Sequence, residues 1–484
     1  MPLMTNKEYT ESLKSMKHVL YIMGEKVERM WDHPLMKPVI NAIALTYDLA
    51  LDPALKGRNT AISHLTGKEV NRFNHVHRNA EDLMNKALML HYLTQTHGCC
   101  VGARCVGSDG LPAVYDTTYE MDKKLGTGYH ERFKKWLISV QEKDLAVSGM
   151  ATDAKGDRSL RPSQQSDPDV YLRVVKKTAD GIFVRGAKAH QSGAVVAHEN
   201  LVMPTMGMAE EDKAYALCFA TPSDAPGMTH ILEGAAADQR RMVAEEMDYG
   251  NAAYGVHGAT LVVFDDVFVP WDRVFMCEEY EFSGSLVAKF ADLHRHGFAG
   301  CKSGHCSLVA GACAVMAEYN GVGKVGHIKE KLNDLVILSQ MTLGMGIAAG
   351  TLGHTTESGC FFPDSKLVNI AKLKGVEAVW GAAPIAADIA GGIVCTAPTE
   401  KDMKHPEIGK YVDRFFRGKN DVSTEKRVRM SRLIEFLIGM SSVIPAESSS
   451  GGGSSATQRL AIRAAADLKL PMERAKKLAG IDRA

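Results

Sequence analysis

The pattern of apolar and polar positions changes texture twice along the chain. From the N-terminus to about residue 140 apolar residues recur at helical spacing. "EYTESLKSMKHVLYIMGEKVERMW" predicts a helix, and "NAEDLMNKALMLHYLTQTHG" predicts another that stops at Gly98, a C-cap glycine. From about 145 to 280, runs rich in β-branched and aromatic residues take over. "VYLRVVKKTADGIFVRGAKAH" predicts two strands around a tight turn at Asp180–Gly181, and "AYALCFATP" and "GATLVVFDDVFVPWDRVF" predict further strands. The expectation is a domain of short antiparallel strands, not a βαβ series. No GxGxxG follows a strand, so no Rossmann domain is expected. Beyond residue 281 helical texture returns in "HCSLVAGACAVMAEYNGV", "IKEKLNDLVILSQMTLGMGIAAGTLGHTT", "LVNIAKLKGVEAVWGAAPIAADIAGG", "KRVRMSRLIEFLIGMSSV" and "TQRLAIRAAADL". Small residues at helical spacing allow close packing in a bundle. The predicted class is α+β: a helical domain over 1–143, a β domain over 144–280 and a helical bundle over 281–484.

Composition changes this picture little. A chain of 484 residues exceeds one compact core, and 45% hydrophobic with 24% charged residues excludes a disordered chain. Lys+Arg and Asp+Glu are both 57, so net charge gives no reason to expect nucleic acid or an anionic membrane as partner. The first residues carry no signal-peptide pattern, because charges interrupt every apolar run. No transmembrane helix is expected, and the cytoplasm is the expected location.

Candidate chemistry concentrates in a few stretches. The cysteines cluster around 99–105 and 301–313, which suggests a metal or redox site; buried free thiols are the alternative. "HGCCVGARC" places Cys99, Cys100 and Cys105 just after a helix, in neither a CxxC nor a zinc-knuckle pattern. "HRHGFAGCKSGHC" (residues 294–306) is too rich in glycine for an ordinary core helix. On a helix it sets His294, Phe298, Cys301 and Lys302 on one face, at i, i+4, i+7 and i+8. Two Cys from the loop with His and Cys from this helix would make a four-ligand site suited to zinc or an iron–sulfur cluster. "ATDAKGDRSLRPSQQSDPD" gathers Thr152, Asp153, Arg158, Ser159 and Arg161, and a strand leads into His190, Gln191, Ser192 and Gly193. Such loops hold a polar cofactor, a flavin or a pyrophosphate, or are solvated surface. Gly391 and Gly392 mark a helix end or a close approach to a cofactor. "AESSSGGGSSATQRL" reads as a flexible linker or as a tight loop whose backbone approaches a ligand.

These motifs, taken in order with "RCVGSDGLPAVYDTTYEMD", "RGAKAHQSGAVVAHENLVMPT" and "LVVFDDVFVPWDRVF", make the chain resemble the 4-hydroxybutyryl-CoA dehydratases. That family lies within the flavin-dependent 4-hydroxyphenylacetate hydroxylase group, whose fold is acyl-CoA dehydrogenase-like. The likeness covers essentially the whole chain. It implies a homotetramer, FAD, and a 4Fe-4S cluster held by three Cys and one His. The implied ligands are Cys105, His294, Cys301 and a further Cys. The family spacing would put that Cys at Val101, so Cys100 or Cys99 serves, with Cys100 preferred. Thr152, Asp153, Arg158, Ser159, His190, Gln191, Ser192, Gly391 and Gly392 are the implied cofactor-binding residues. His294, Lys302 and Glu447 are the implied catalytic residues.

Two positions depart from the family pattern: Phe298 replaces a Tyr and Ala259 replaces a Glu. Neither side chain transfers a proton. Either His257, His296 or Glu447 substitutes, or the acyl-CoA substrate differs. The implied reaction is loss of water from a 4-hydroxyacyl-CoA through a ketyl radical, with vinylacetyl-CoA isomerisation beside it. Flavin would exchange one electron and the cluster would act as Lewis acid. The alternatives are a reduced-flavin-dependent aromatic hydroxylase of the same fold and a descendant that has lost catalysis.

Overall fold

A computed structural model describes residues 3–439 and 444–481. The chain begins with α1 (Asn6–Ser15), started by a capping box between Thr5 and Glu8, then a hairpin of β1 (Leu20–Ile22) and β2 (Glu25–Val27). The single long helix expected over residues 8–31 is thus corrected. Beyond Ser15 the chain pairs with a distant partner, because β1 runs parallel to β10 (Met228–Leu232) through Leu20 and Tyr21. There follow α2 (Lys37–Leu51), the hairpin of β3 (Thr60–Ile62) and β4 (Glu69–Asn71), α3 (Ala80–His97), α4 (Gly102–Leu125) and α5 (Tyr129–Glu142). As expected, α3 ends at Gly98, whose φ of 62° is the left-handed cap.

The sheets are β5 (Val147–Met150), β6 (Arg173–Lys177), β7 (Gly181–Ser192), β8 (Glu199–Val202), β9 (Leu217–Pro222), β11 (Ala259–Pro270) and β12 (Val274–Cys277), joined by the one-turn helices α6 (Ala235–Asp238) and α7 (Arg240–Val243). One sheet has the order β2-β1-β10-β11-β7-β6, and the other β12-β9-β8-β5. The strands are not all short and antiparallel as expected. β7 and β11 have 12 residues each, and β1–β10 and β5–β8 are parallel pairs. Phe219 of β9 meets Phe264 of β11 edge-on with ring centroids 6.2 Å apart, in a core shared with Leu111, Phe133, Trp136 and Phe275.

The remaining elements are α8 (Tyr280–Tyr319), α9 (Gly326–Thr351), the short pair β13 (His354–Thr355) and β14 (Phe361–Phe362), α10 (Ser365–Ala390), α11 (Ile393–Thr396), α12 (Glu400–Lys404), α13 (Gly409–Phe415), α14 (Thr424–Ile438), α15 (Ile444–Ser450), α16 (Ser455–Ala465) and α17 (Lys469–Leu478). The last part of the helix expected over "KRVRMSRLIEFLIGMSSV", residues 440–443, lies outside the described residues. α9 is long and apolar enough to cross a membrane by length and composition alone. In this fold it packs against α3, α8 and α10.

α8 runs unbroken for 40 residues through the glycine-rich stretch. The glycines are the means of packing rather than an interruption. A Cβ on Gly300 would lie 2.5 Å from the Ala87 carbonyl oxygen of α3, and one on Gly304 would lie 2.3 Å from that of His91. Two helix backbones therefore touch where side chains normally separate them. Gly300→Ala should destabilise the fold by about 1–3 kcal/mol through overpacking. Gly311→Ala on the same helix, with no atom within 4 Å of the added methyl, should leave stability unchanged or raise it by up to about 1 kcal/mol. Denaturant unfolding of the two variants checks both.

Candidate functional site

The contact between α3 and α8 brings the two cysteine clusters to one cavity of about 540 Å³. Gly98 turns the chain sharply after α3, and the two next cysteines then diverge. Cys99 packs into the core with its thiol 3.2 Å from His97 Nδ1, whereas Cys100 stands beside Cys105 of α4 and His257. The hydrogen bond between Cys100 and Cys105 holds Cys100 well below the usual thiol range and pushes Cys105 above it. Burial pushes the Cys301 thiol up to about 12. From α8, His294, Phe298, Cys301 and Lys302 all line the cavity, as their spacing predicts. The ligand atoms of Cys105 and His294 lie within 4.8 Å of each other, together with one from Asp109.

The fit to a cluster is chemical. Soft thiols from Cys100, Cys105 and Cys301 and the His294 imidazole border a single space; Cys99 borders it too, but its buried thiol is engaged by His97. His294 is held on three sides. Its Nδ1 is 2.7 Å from Asp109 Oδ2, its ring stacks on Phe290 at 5.6 Å, and Gly452 lies against its Cδ2 edge. The Gly/Ser tail is therefore a tight loop between α15 and α16, not a linker. Gly452 has φ of 69°, and its carbonyl accepts from Arg295 Nε at 3.0 Å.

Charged groups ring the thiols. Lys302 Nζ donates to Glu447 Oε2 with only 2% of the lysine side chain exposed. Burial would raise the Glu447 carboxyl, but the Lys302 ammonium more than offsets this and holds it down at about 2. Burial also opposes protonation of Lys302, yet Cys301 and Glu447 outweigh it and raise its pKa. Lys372 of α10 is pulled down to about 8 by burial. Both lysines lie over the Phe298 ring, with Lys302 Nζ 4.8 Å and Lys372 Nζ 4.0 Å from its centroid. His257 Nε2 sits 2.8 Å from Ser192 Oγ, and the Cys100 thiol outweighs burial to raise the His257 pKa.

The other expected residues divide. Thr152, His190, Gln191 and Ser192 line the cavity, and so does Ala259 at the start of β11. Asp153 lies off the cavity wall, buried in an ion pair with Lys188 at 2.9 Å; Arg158 and Ser159 are exposed on a loop away from it. Gly391 and Gly392 are exposed at the end of α10, where Gly391 N–H caps Ala387. His296 is fully buried and is not part of the cavity wall, so of His257, His296 and Glu447 only His257 and Glu447 face the space. Asp109, Lys86 and Lys372 were not singled out from the sequence. Asp109 had a signal, since it lies one helical turn beyond Cys105; the lysines had none.

The chain matches the model of the N-terminal region of 4-hydroxyphenylacetate 3-hydroxylase over residues 5–276 and that of its C-terminal region over 283–480. It superposes on the FAD complex of the oxygenase component of 4-hydroxyphenylacetate 3-monooxygenase with a TM-score of 0.86, covering 98% of each chain at 24% identity. Fold and sequence thus define a helix-and-sheet protein of the 4-hydroxyphenylacetate 3-hydroxylase group. It is 43% identical over 490 residues to the 4-hydroxybutyryl-CoA dehydratase/vinylacetyl-CoA-Delta-isomerase of Clostridium aminobutyricum, covering 99% of this chain and 100% of that one. It is 40% identical to the oxygen-tolerant archaeal 4-hydroxybutyryl-CoA dehydratase of N. maritimus, with a TM-score of 0.96 over 100% of this chain and 96% of the other. Within that group, the chain belongs to the 4-hydroxybutyryl-CoA dehydratase family.

The low carboxyl pKa gives this site a pH signature. Because the folded value of Glu447, about 2, is below the ordinary 4.5, its pair with Lys302 stabilises fully above pH 4.5 and is lost as pH falls towards 2. Glu447→Gln should cost about 3–5 kcal/mol at pH 7, since it leaves a buried ammonium unpaired. The difference from wild type should shrink as pH drops from 4.5 to 2, measured by denaturant unfolding across that range.

Proposed function

We propose that this chain is a lyase with isomerase activity that converts a 4-hydroxyacyl-CoA of the 4-hydroxybutyryl-CoA type to crotonyl-CoA, using FAD and a 4Fe-4S cluster. The observation that carries the reading is the convergence of Cys100, Cys105, Cys301 and His294 on one cavity, in a chain so similar over its full length to named dehydratases. Those four residues would hold the cluster, and Thr152, Gln191 and Ser192 would line the flavin's place on the sheet side. When bound, the flavin supplies one-electron chemistry and the cluster Lewis acidity. Asp153, Arg158, Ser159, Gly391 and Gly392 have no part in this cavity wall. Association into a homotetramer is part of the same reading; the exposed Val336, Ile337 and Met341 of α9 and Trp380 of α10 support it.

The reaction sets requirements for the chain's own groups. C4 loses hydroxide and gains a proton, while C2 and C3 each lose a proton, so one molecule of water leaves. One proton taken from carbon must be held and returned. His257 Nε2, bonded to Ser192, and the Glu447 carboxylate, bonded to Lys302, are the proton carriers facing the cavity beside His294. Phe298 contributes only an apolar face under the two ammonium groups, and Ala259 only a methyl. The expected activity is therefore slower than that of a site with Tyr and Glu at those positions.

Anaerobic purification should give about four irons and four sulfides per chain with bound flavin. The protein should convert both 4-hydroxybutyryl-CoA and vinylacetyl-CoA to crotonyl-CoA. Flavin without iron, in a protein that hydroxylates a phenol when supplied with reduced flavin and oxygen, would replace this reading with an aromatic hydroxylase. Iron and flavin without turnover would leave a non-catalytic descendant. Cys301→Ala should remove the iron. Phe298→Tyr combined with Ala259→Glu should raise dehydratase kcat by about 10²-fold, the scale of a positioned acid–base group; an unchanged kcat with intact iron content refutes the importance of those two positions.

A further inference from the structure

Behind the His294 ring runs a line of buried ionisable groups that neither the thiols nor the proton carriers account for. Asp109, on α4, has both carboxylate oxygens occupied: Oδ2 takes the His294 Nδ1 contact at 2.7 Å, and Oδ1 accepts from Lys86 Nζ of α3. Lys86 is fully buried, and its ammonium also lies 3.3 Å from His77 Nε2. His77 is buried too, and burial keeps it well below the usual imidazole range, so it is neutral and accepts from Lys86. Three helices thus contribute one member each, Lys86 from α3, Asp109 from α4 and His294 from α8. Gly297 of α8 faces the same pair, with its missing Cβ only 3.7 Å from Asp109 Oδ1.

A buried ion pair is rarely worth its desolvation as stability alone, so an isolated one against a ligand-type imidazole calls for another role. The ligand atoms of Cys105, Asp109 and His294 cluster closely enough for a metal ion, but both Asp109 oxygens are already engaged. The carboxylate therefore acts on the imidazole instead of on a metal. As an acceptor it requires a proton on His294 Nδ1, which leaves Nε2 as the nitrogen with the lone pair.

We propose that Asp109, anchored by Lys86, is the positioning residue of His294, fixing the ring's orientation and its Nδ1–H tautomer so that Nε2 is the atom offered to the cavity. This rests on the cluster reading for what Nε2 binds, but the tautomer itself does not. The first test is made on iron-free protein labelled with ¹⁵N-histidine, with the His294→Gln spectrum identifying the signal. Wild type should show Nδ1–H at His294. Asp109→Asn, whose amide can turn a donor to the ring, should lose that state, and Lys86→Arg should keep it. Unchanged His294 signals in a folded Asp109→Asn protein overturn the proposal, whatever the cluster does.

The second test follows iron release to a chelator from the reconstituted protein, with flavin content and circular dichroism as checks on folding. Asp109→Asn should release iron about 10–100-fold faster than wild type, Lys86→Met should also accelerate release, and Lys86→Arg should restore slow release. Release at the wild-type rate from all three overturns the positioning role. Wild-type protein that takes up no iron while its His294 shows the Nδ1–H state overturns the cluster reading instead and leaves the positioning of His294 standing.

Discussion

The structure depends on the backbone contact between α3 and α8. Glycine is a poor helix residue, costing about 1 kcal/mol against alanine, yet Gly297, Gly300 and Gly304 sit in the middle of the longest helix. The cost is offset by proximity. With Ala87 and His91 of α3 lying directly on α8, the loop after α3 ends beside the His294–Cys301 face. A methyl at Gly300 or Gly304 would force those backbones apart and carry Cys100 and Cys105 away from Cys301. Helix packing, rather than loop chemistry, thus determines whether the thiols meet.

That contact also explains where the charge is. Lys86, Asp109, Lys302 and Lys372 are almost wholly removed from water, and all lie within the layer around the α3–α8 junction. In such surroundings each ammonium needs a partner, and each has one: Asp109, Glu447 and the Ser448 carbonyl oxygen. The Phe298 ring offers two ammonium groups a π-system and no hydroxyl. The result is an electropositive wall beside thiols and a carboxylate, in which pKa values are displaced in both directions. Displaced values of this kind gather where charges are held for chemistry.

Much of the scaffold was legible in local patterns. α3 and its glycine cap, the β6–β7 hairpin and the long apolar helices follow from spacing and turn residues alone. The hairpin after α1 was not legible, because besides its local pairing with β2, β1 is held in the sheet by Leu20 and Tyr21 pairing with His230 and Ile231, some two hundred residues away. Thr152 and Asp153 looked equivalent in sequence, but adjacent side chains in extended backbone diverge, so Thr152 reaches the cavity and Asp153 meets Lys188. Cys99 and Cys100 likewise take different partners, His97 and Cys105, which no spacing rule distinguishes.

The sequence by itself determined which groups are available and which are missing: a helical face carrying His294, Phe298, Cys301 and Lys302, a second set of cysteines, and no proton carrier at 298 or 259. Helical periodicity is a local property, so that face could be read without a partner. Only the tertiary structure decided that Cys100 meets Cys105 while the Cys99 thiol meets His97, that the Gly/Ser tail closes over His294, and that Lys86 and Asp109 stand behind the ring. These are meetings of segments distant in the chain, and they depend on how closely helices approach, a quantity set by packing at glycine and not written in any one segment.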